Sequence, residues 1–208
     1  MKKTDWDNYY NNPSGFSKYT RLYTQNWLIT QIKNYSKDAI DLAEFGGGNS
    51  CFHDAILESC NILTYTIYDN NAVGIKKFKE KYFSNHISEA IESDLLKKEI
   101  VEKNKYDIVM SVGLIEHFDE IGTKEIVKKH FDAVKSGGIV IITAPTPTML
   151  YKIIRKSAES LHVWTFHDER PLKPDEMKKS VEGLGKIVNE KLLWAIGLTQ
   201  YALVVKAN

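Results

Sequence analysis

Four acidic side chains recur along this 208-residue chain, each near the downstream end of an apolar run: Glu44, Asp69, Asp94 and Glu116, the last followed by His117. Carboxylates gathered around one crevice repel a phosphate-rich ligand and welcome a cationic or hydroxyl-bearing one. An imidazole beside them titrates near neutral pH and is well suited to take a proton. Directly after Glu44-Phe45 come Gly46, Gly47 and Gly48, where a backbone without Cβ atoms can turn sharply and approach a ligand closely. Asp69 stands 25 residues after Glu44, one strand–helix–strand step on, where an acid can accept two ribose hydroxyl hydrogens. Asp94 is spaced to accept from an exocyclic amine, and Leu95 and Leu114 to sandwich a flat ring.

The elements that must hold these groups follow from the pattern of the chain. The apolar run from Ala39 to Phe45 reads as a buried strand that stops at the glycines, with a helix from Cys51 to about Cys60. Strands are expected at 62–68, near 87–91, at 106–112 and at 139–143, with helices at 73–82 and 123–135, the latter stopped by a glycine cap at Ser136-Gly137-Gly138. The lysine-rich connection before Tyr106 reads as helical, and Pro174 opens a helix running to about Leu184. Strands at 187–194 and 200–206, joined by a short loop at Gly197, close the chain as an antiparallel hairpin. Ahead of the sheet, Pro13-Ser14-Gly15 signals a turn and residues 17–35 an amphipathic helix. Alternating strands and helices imply a parallel sheet with ligands bound outside the carboxyl ends of its strands.

Composition narrows the function. Hydrophobic residues make up 43% and charged residues 26%, the balance of one ordinary globular domain. The formal charge of +1 carries no broad electrostatic footprint for nucleic acid, no stretch approaches a membrane span, and the N-terminus has no signal-peptide core. Cys51 and Cys60 form neither a redox pair nor a metal knuckle, so a reducing, cytoplasmic setting is expected.

Glu44-Phe-Gly-Gly-Gly-Asn, the strand end at Asp69, Ser93-Asp94-Leu95, Gly113-Leu-Ile-Glu-His-Phe118 and Lys135-Ser-Gly-Gly-Ile-Val together resemble the class I S-adenosylmethionine-dependent methyltransferases, over roughly residues 38–206. The resemblance implies an α/β, Rossmann-like doubly wound sheet of seven strands, mostly parallel with the last reversed, helices on both faces and an N-terminal helical cap. It divides a single domain into a cap (1–35), a cofactor-binding core (38–143), a substrate lid (146–173) and a terminal helix and hairpin (174–208). It implies S-adenosylmethionine as cofactor, held by Glu44, Phe45, Gly46, Gly48, Asp69, Asn70, Asp94, Leu95, Val112 and Leu114. Ser50 departs from the pattern, standing where many members have a third glycine. A nicotinamide-binding alternative for the same fold is disfavoured by Cys51, which stands where its last glycine belongs.

His117 is the expected base. The acceptor is expected between residues 1–35 and 146–173, with Tyr19, Arg21, Trp164, His167 and Arg170 as candidate contacts. All three arginines of the chain lie in these segments, and guanidinium forks suit phosphate or carboxylate. An anionic small molecule is therefore expected, a phosphorylated or nucleotide-linked sugar or a surface-polysaccharide precursor, methylated on oxygen or less readily on nitrogen. RNA or another macromolecule, and a non-catalytic partner subunit, are the alternatives. A divalent metal held by Glu116, His117, His162 and His167 is a further possibility within the superfamily, with an incomplete ligand set.

Overall fold

The computed structural model describes residues 3–12, 17–36, 38–97, 101–193 and 197–208 and, of residues 17–19, the backbone only. The turn expected at Pro13-Ser14-Gly15, the side chain of Tyr19 and the strand end at Trp194 lie outside the described residues. Two helices precede the sheet, α1 (Trp6–Asn11) and α2 (Ser17–Tyr35). Asp5 caps α1 by accepting from Asn8 N at 2.9 Å, which occupies a donor that the short helix cannot satisfy itself. There follow β1 (Ile40–Phe45), α3 (His53–Ser59), β2 (Ile62–Asp69), α4 (Ala72–Lys81), β3 (Ser88–Glu92), β4 (Tyr106–Val112) and a 3-10 turn (Ile115–His117). Then come α5 (Glu120–Ala133), β5 (Val134–Pro145), α6 (Met149–Ser160), α7 (Pro174–Ser180), β6 (Gly185–Leu193) and β7 (Gln200–Ala207).

Among the described residues the strands form one seven-stranded sheet in the order β3-β2-β1-β4-β5-β7-β6. Pairing is parallel through β5, while β7 runs antiparallel to both β5 and β6. β1 lies between β2 and β4, with Phe45 opposite Tyr68 on one side and Ser111 on the other. The chain winds outward in opposite directions from that pair, so a crevice opens above the ends of β1 and β4.

Side chains alternate across the sheet and build a core on each face. Leu42 and Ile67 pack with Leu28 of α2, Ile56 of α3 and Phe78 of α4. Ala43 and Phe45 pack on the other face with Ile126 and Val127 of α5 and Met177 of α7. Each aliphatic side chain so buried contributes about 1.5–3 kcal/mol. Two tyrosines on that face satisfy one another, Tyr68 and Tyr106 joining hydroxyls at 2.7 Å.

Three expectations are corrected and one element is added. α5 ends at Ala133 with Val134 extended, not at a glycine cap, because residue 134 already pairs with Tyr106 in the sheet. Gly137 (φ +75°) and Gly138 instead lie inside β5, where the β4–β5 register shifts; a Cβ on Gly138 would stand 2.8 Å from the Asp107 carbonyl oxygen. The lysine-rich connection holds no helix among the described residues, with 98–100 outside them. The helix opened by Pro174 stops at Ser180, and α6, capped by Thr148 through Tyr151 N at 3.2 Å, is an element that the sequence reading leaves out.

Candidate active site

The glycine turn is built as its residue types require. Gly46 (φ +72°) and Gly48 (φ +47°) take left-handed conformations that side chains disfavour. Gly46 N still bonds Tyr68 O at 2.7 Å, and a Cβ there would meet Leu114 Cδ1 at 2.7 Å. A Cβ on Gly48 would collide with the phenol end of Tyr10. Helix α3 starts two residues later than expected; Ser50 Oγ accepts from Phe52 N at 3.2 Å just ahead of it.

Glu44 lines the crevice from the last turn of β1 yet is only 3% exposed. Burial pushes its carboxyl up to about 7, against the hydrogen bonds from Ser50 and from Tyr65 (2.7 Å), and the nearby Asp69 adds to the rise. Asp69, at the end of β2, accepts from Asn71 N at 2.7 Å, while its other oxygen meets the Tyr10 hydroxyl at 3.3 Å. Asp94 accepts from Leu96 N at 3.1 Å and is half-buried beyond β3. Its neighbour Ser93 keeps a buried hydroxyl with no hydrogen-bond partner.

The remaining cofactor candidates divide. Val112 lines the cleft with Gly46, and Leu114 packs over Gly46. The side chain of Phe45 does not face the cleft: it is buried in the α5-side core, with ring centroids 5.5 Å from Tyr68 and 4.7 Å from His130. Leu95 is buried in the same core and Asn70 is exposed.

Gly113 (φ +69°) follows β4, and the 3-10 turn beyond it directs Glu116 and His117 to the cleft. His117 Nδ1 lies 3.1 Å from Asp168 Oδ1, an oxygen that also accepts from Thr4. The carboxylate fixes the proton on Nδ1 and leaves Nε2 with its lone pair. Burial holds the imidazole below its ordinary pKa against the opposing charge of Asp168, so the ring is neutral near pH 7. Trp6 stands edge-on to it, 5.0 Å away. Glu116 is 1% exposed, with Oε2 buried and unpartnered; burial and the charges of Glu169 and Asp168 push its carboxyl well up.

The lid closes over this turn, Arg170 N bonding Glu116 O at 2.9 Å. Of the candidate acceptor contacts, Arg21 and Trp164 line the cleft. Arg21 donates to the Tyr9 hydroxyl at 2.7 Å, and Trp164 Nε1 to Phe166 O at 2.9 Å. Arg170 and His167 are not cleft residues, and the Arg170 guanidinium is held by Glu176 and Thr123. Arg155 is held by Glu159 (2.8 Å) and Glu169 (3.4 Å) while covering Trp164 at 5.4 Å. The enclosed space is about 460 Å³.

His162 is exposed, on a left-handed residue (φ +57°), so the possible metal set is not gathered; among the described residues no group of three His, Cys, Asp or Glu side chains is arranged to hold an ion. Sequence reasoning missed Asp168 and Glu169. Their only signal was two adjacent acids between His167 and Arg170, which reads as a solvated loop.

A crevice at the switch point of a seven-stranded sheet, with one acid before a glycine turn and another at the next strand end, is the layout of the class I S-adenosylmethionine-dependent methyltransferases. Residues 43–142, a span that holds the glycine turn and all four strand-end acids, match the family described as a methyltransferase domain. No curated protein matches the sequence significantly. Among solved structures, the chain is similar to magnesium protoporphyrin IX methyltransferase from Synechocystis PCC 6803 with bound S-adenosylhomocysteine (12% identity, 98% of this chain and 93% of that one, TM-score 0.75). It is similar also to 1,6-didemethyltoxoflavin-N1-methyltransferase from Burkholderia thailandensis (9% identity, 98% and 85%, TM-score 0.72). A third is the Haloferax volcanii chain solved in complex with the Trm112 methyltransferase activator (10% identity, 100% and 99%, TM-score 0.78).

S-adenosylmethionine is the cofactor of this class, and the residues fit it. The turn is bare of Cβ atoms, the buried Ser93 hydroxyl lacks a partner, and the strand-end acids Glu44, Asp69 and Asp94 complement a ligand that carries a sulfonium, an ammonium and two ribose hydroxyls.

Proposed function

We propose that this enzyme methylates an oxygen or a nitrogen of a small polar molecule, in the cytoplasm, with His117 as the base. The observation that carries the reading is the His117–Asp168 pair at the wall of a cleft enclosed by α1 and the lid. Bound S-adenosylmethionine supplies a methyl group on an excellent leaving group, so alignment and proton removal fall to the protein. Glu44 would hold the methionine end, Asp69 the ribose, and Asp94 with Leu114 the adenine. Trp6 and Phe166 exclude water beside His117, whose neutral Nε2 can receive the acceptor's proton while Asp168 steadies the imidazolium.

The sequence suggested an anionic acceptor, such as a nucleotide-linked sugar. With Arg155 committed to Glu159 and Glu169 and Arg170 to Glu176, Arg21 is the one arginine on the cleft wall. We therefore propose a neutral or cationic acceptor in its place. The test is incubation with methyl-labelled S-adenosylmethionine and two acceptor pools, small metabolites and RNA. Label entering the small-molecule pool, and lost in His117→Ala, is expected; label entering only RNA would overturn the reading.

A further inference from the structure

We infer that Arg21 holds the carboxylate of the cofactor's methionine end, as the partner of Glu44, which takes the ammonium on the same carbon. The inference deepens the cofactor reading above and moves Arg21 from the acceptor to S-adenosylmethionine.

The two N-terminal helices position it. Thr20, Arg21 and Thr24 line the cleft from the first half of α2, and Leu28 and Ile32 continue the same side of the helix into the core. Arg21 Nη2 donates to the Tyr9 hydroxyl at 2.7 Å, and the guanidinium carbon lies 5.8 Å from the centre of the Tyr9 ring. That ring is fixed in turn by Trp6, Tyr10 and Phe166, at 5.5, 5.4 and 5.5 Å between centroids. The guanidinium is therefore oriented before a ligand arrives, which lowers the cost of ordering a long side chain on binding.

The charges on the cleft wall single it out. Among the described residues Arg21 and Lys81 are the lysine and arginine side chains there, and Lys81 is paired with Asp54 at 2.8 Å. No carboxylate among the described residues lies within ion-pair reach of Arg21. Of the acids on the wall besides Glu44, Glu169 is bonded to Tyr151 and Arg155, and burial pushes the Glu116 carboxyl well up towards its neutral form.

Arg21 also acts at the glycine turn. Cys51 exposes surface to the cleft, yet the surrounding protein desolvates its thiol and raises it to about 11; Arg21 opposes that rise and Glu44 adds to it. Both charges thus reach one residue just past the turn. The methionine end carries an ammonium and a carboxylate on one carbon. An acid alone would attract the first and repel the second, whereas an acid with a guanidinium satisfies both, and the planar fork matches a carboxylate with two parallel hydrogen bonds.

The experiment is calorimetric titration of the full chain with S-adenosylhomocysteine and with its decarboxylated analogue, which keeps the amine and the nucleoside. The wild type is expected to bind S-adenosylhomocysteine about tenfold more tightly or better, the scale of a charge-assisted pair. Arg21→Gln is expected to abolish that preference by weakening S-adenosylhomocysteine, with the affinity of the analogue held within about twofold. Equal affinities in the wild type, or a preference intact in Arg21→Gln, overturns the inference, as does an equal loss for both ligands. Should Arg21→Gln fail to fold by circular dichroism, Arg21→Lys decides: it keeps the charge and gives up the fork, so a reduced preference is expected and an unchanged one overturns the inference. Binding of both ligands without preference sinks the arginine assignment alone; binding of neither sinks the cofactor reading with it.

Discussion

The hydroxyl of Tyr10 lies 3.3 Å from Asp69 Oδ2 and ties the N-terminal helix to the end of β2. The ring of Tyr10 also fills the space beside Gly48 and Gly74, so α1 rests on the glycine turn itself. Asp69 is the acid assigned to the ribose, and Tyr10 occupies one of its oxygens.

Tyr10→Phe removes that competing hydrogen bond and keeps the packing. S-adenosylhomocysteine should then bind roughly two- to tenfold more tightly, the range of one neutral hydrogen bond. Asp69→Ala should weaken binding at least tenfold by losing charge-assisted bonds. Calorimetric titration of both variants checks the pair, and a weaker Tyr10→Phe complex would show that the hydroxyl serves the cofactor.

His117→Ala should lower turnover by about a hundredfold or more, the usual range for a general base, with cofactor affinity unchanged. Because burial depresses the His117 pKa, the acid limb of kcat/KM should fall below pH 6.5. Asp168 opposes that depression, so Asp168→Asn should move the limb to still lower pH while reducing kcat. A merely structural Asp168 would leave the limb where it is, and the pH profiles separate the two cases.

Glu44, raised to about 7 in the free protein, must ionise to meet a cationic ligand. Affinity for S-adenosylmethionine should therefore drop roughly tenfold from pH 7.5 to 5.5. The same shift acts on folding with the opposite sense: the fold favours the protonated acid, so this group's contribution to stability declines as pH rises from the ordinary 4.5 to 7. Glu44→Gln should bind more weakly at pH 7.5 and flatten the dependence; a parallel slope in the variant would assign it elsewhere.

His130 is buried in the α5-side core, bonded through Nδ1 to Ile126 O (2.8 Å) and through Nε2 to Ser111 Oγ (2.9 Å). Burial lowers its pKa to about 4. The unfolded chain then binds the extra proton first, so stability is full above pH 6.5 and is lost as pH falls towards 4. The loss amounts to roughly 2 kcal/mol at pH 5. Lowered His53 adds in the same direction and Glu44 opposes. Urea denaturation of His130→Leu isolates the effect: lower stability at pH 7, and a smaller further decline to pH 5 than in the wild type.

The strand pattern and the strand-end acids were legible because both are local: apolar runs stopping at Gly46, Asp69 and Gly113 announce themselves within a few residues. His117 was legible for the same reason. Its partner was not, because Asp168 is 51 residues away and is brought there by a segment whose own helix, α6, the sequence reading leaves out. The pairing of the arginines was hidden for a related reason: Arg155 meets Glu159 and Glu169, and Arg170 meets Glu176, only once the chain is folded. Phe45 is where period-two reasoning was available and not applied: adjacent to Glu44 on a strand, its side chain points to the opposite face.

Thr4 and Asp168, bonded across 164 positions, give the enzyme an order of assembly. During synthesis Thr4 emerges early and must wait until residue 168 has cleared the ribosome before it has a partner. Strands β1 to β4 can collapse long before that, so the nascent chain acquires its sheet first and its enclosed reaction chamber last. A bulky fusion placed ahead of Thr4 would burden that final docking step, and would be expected to slow the appearance of activity far more than the appearance of secondary structure.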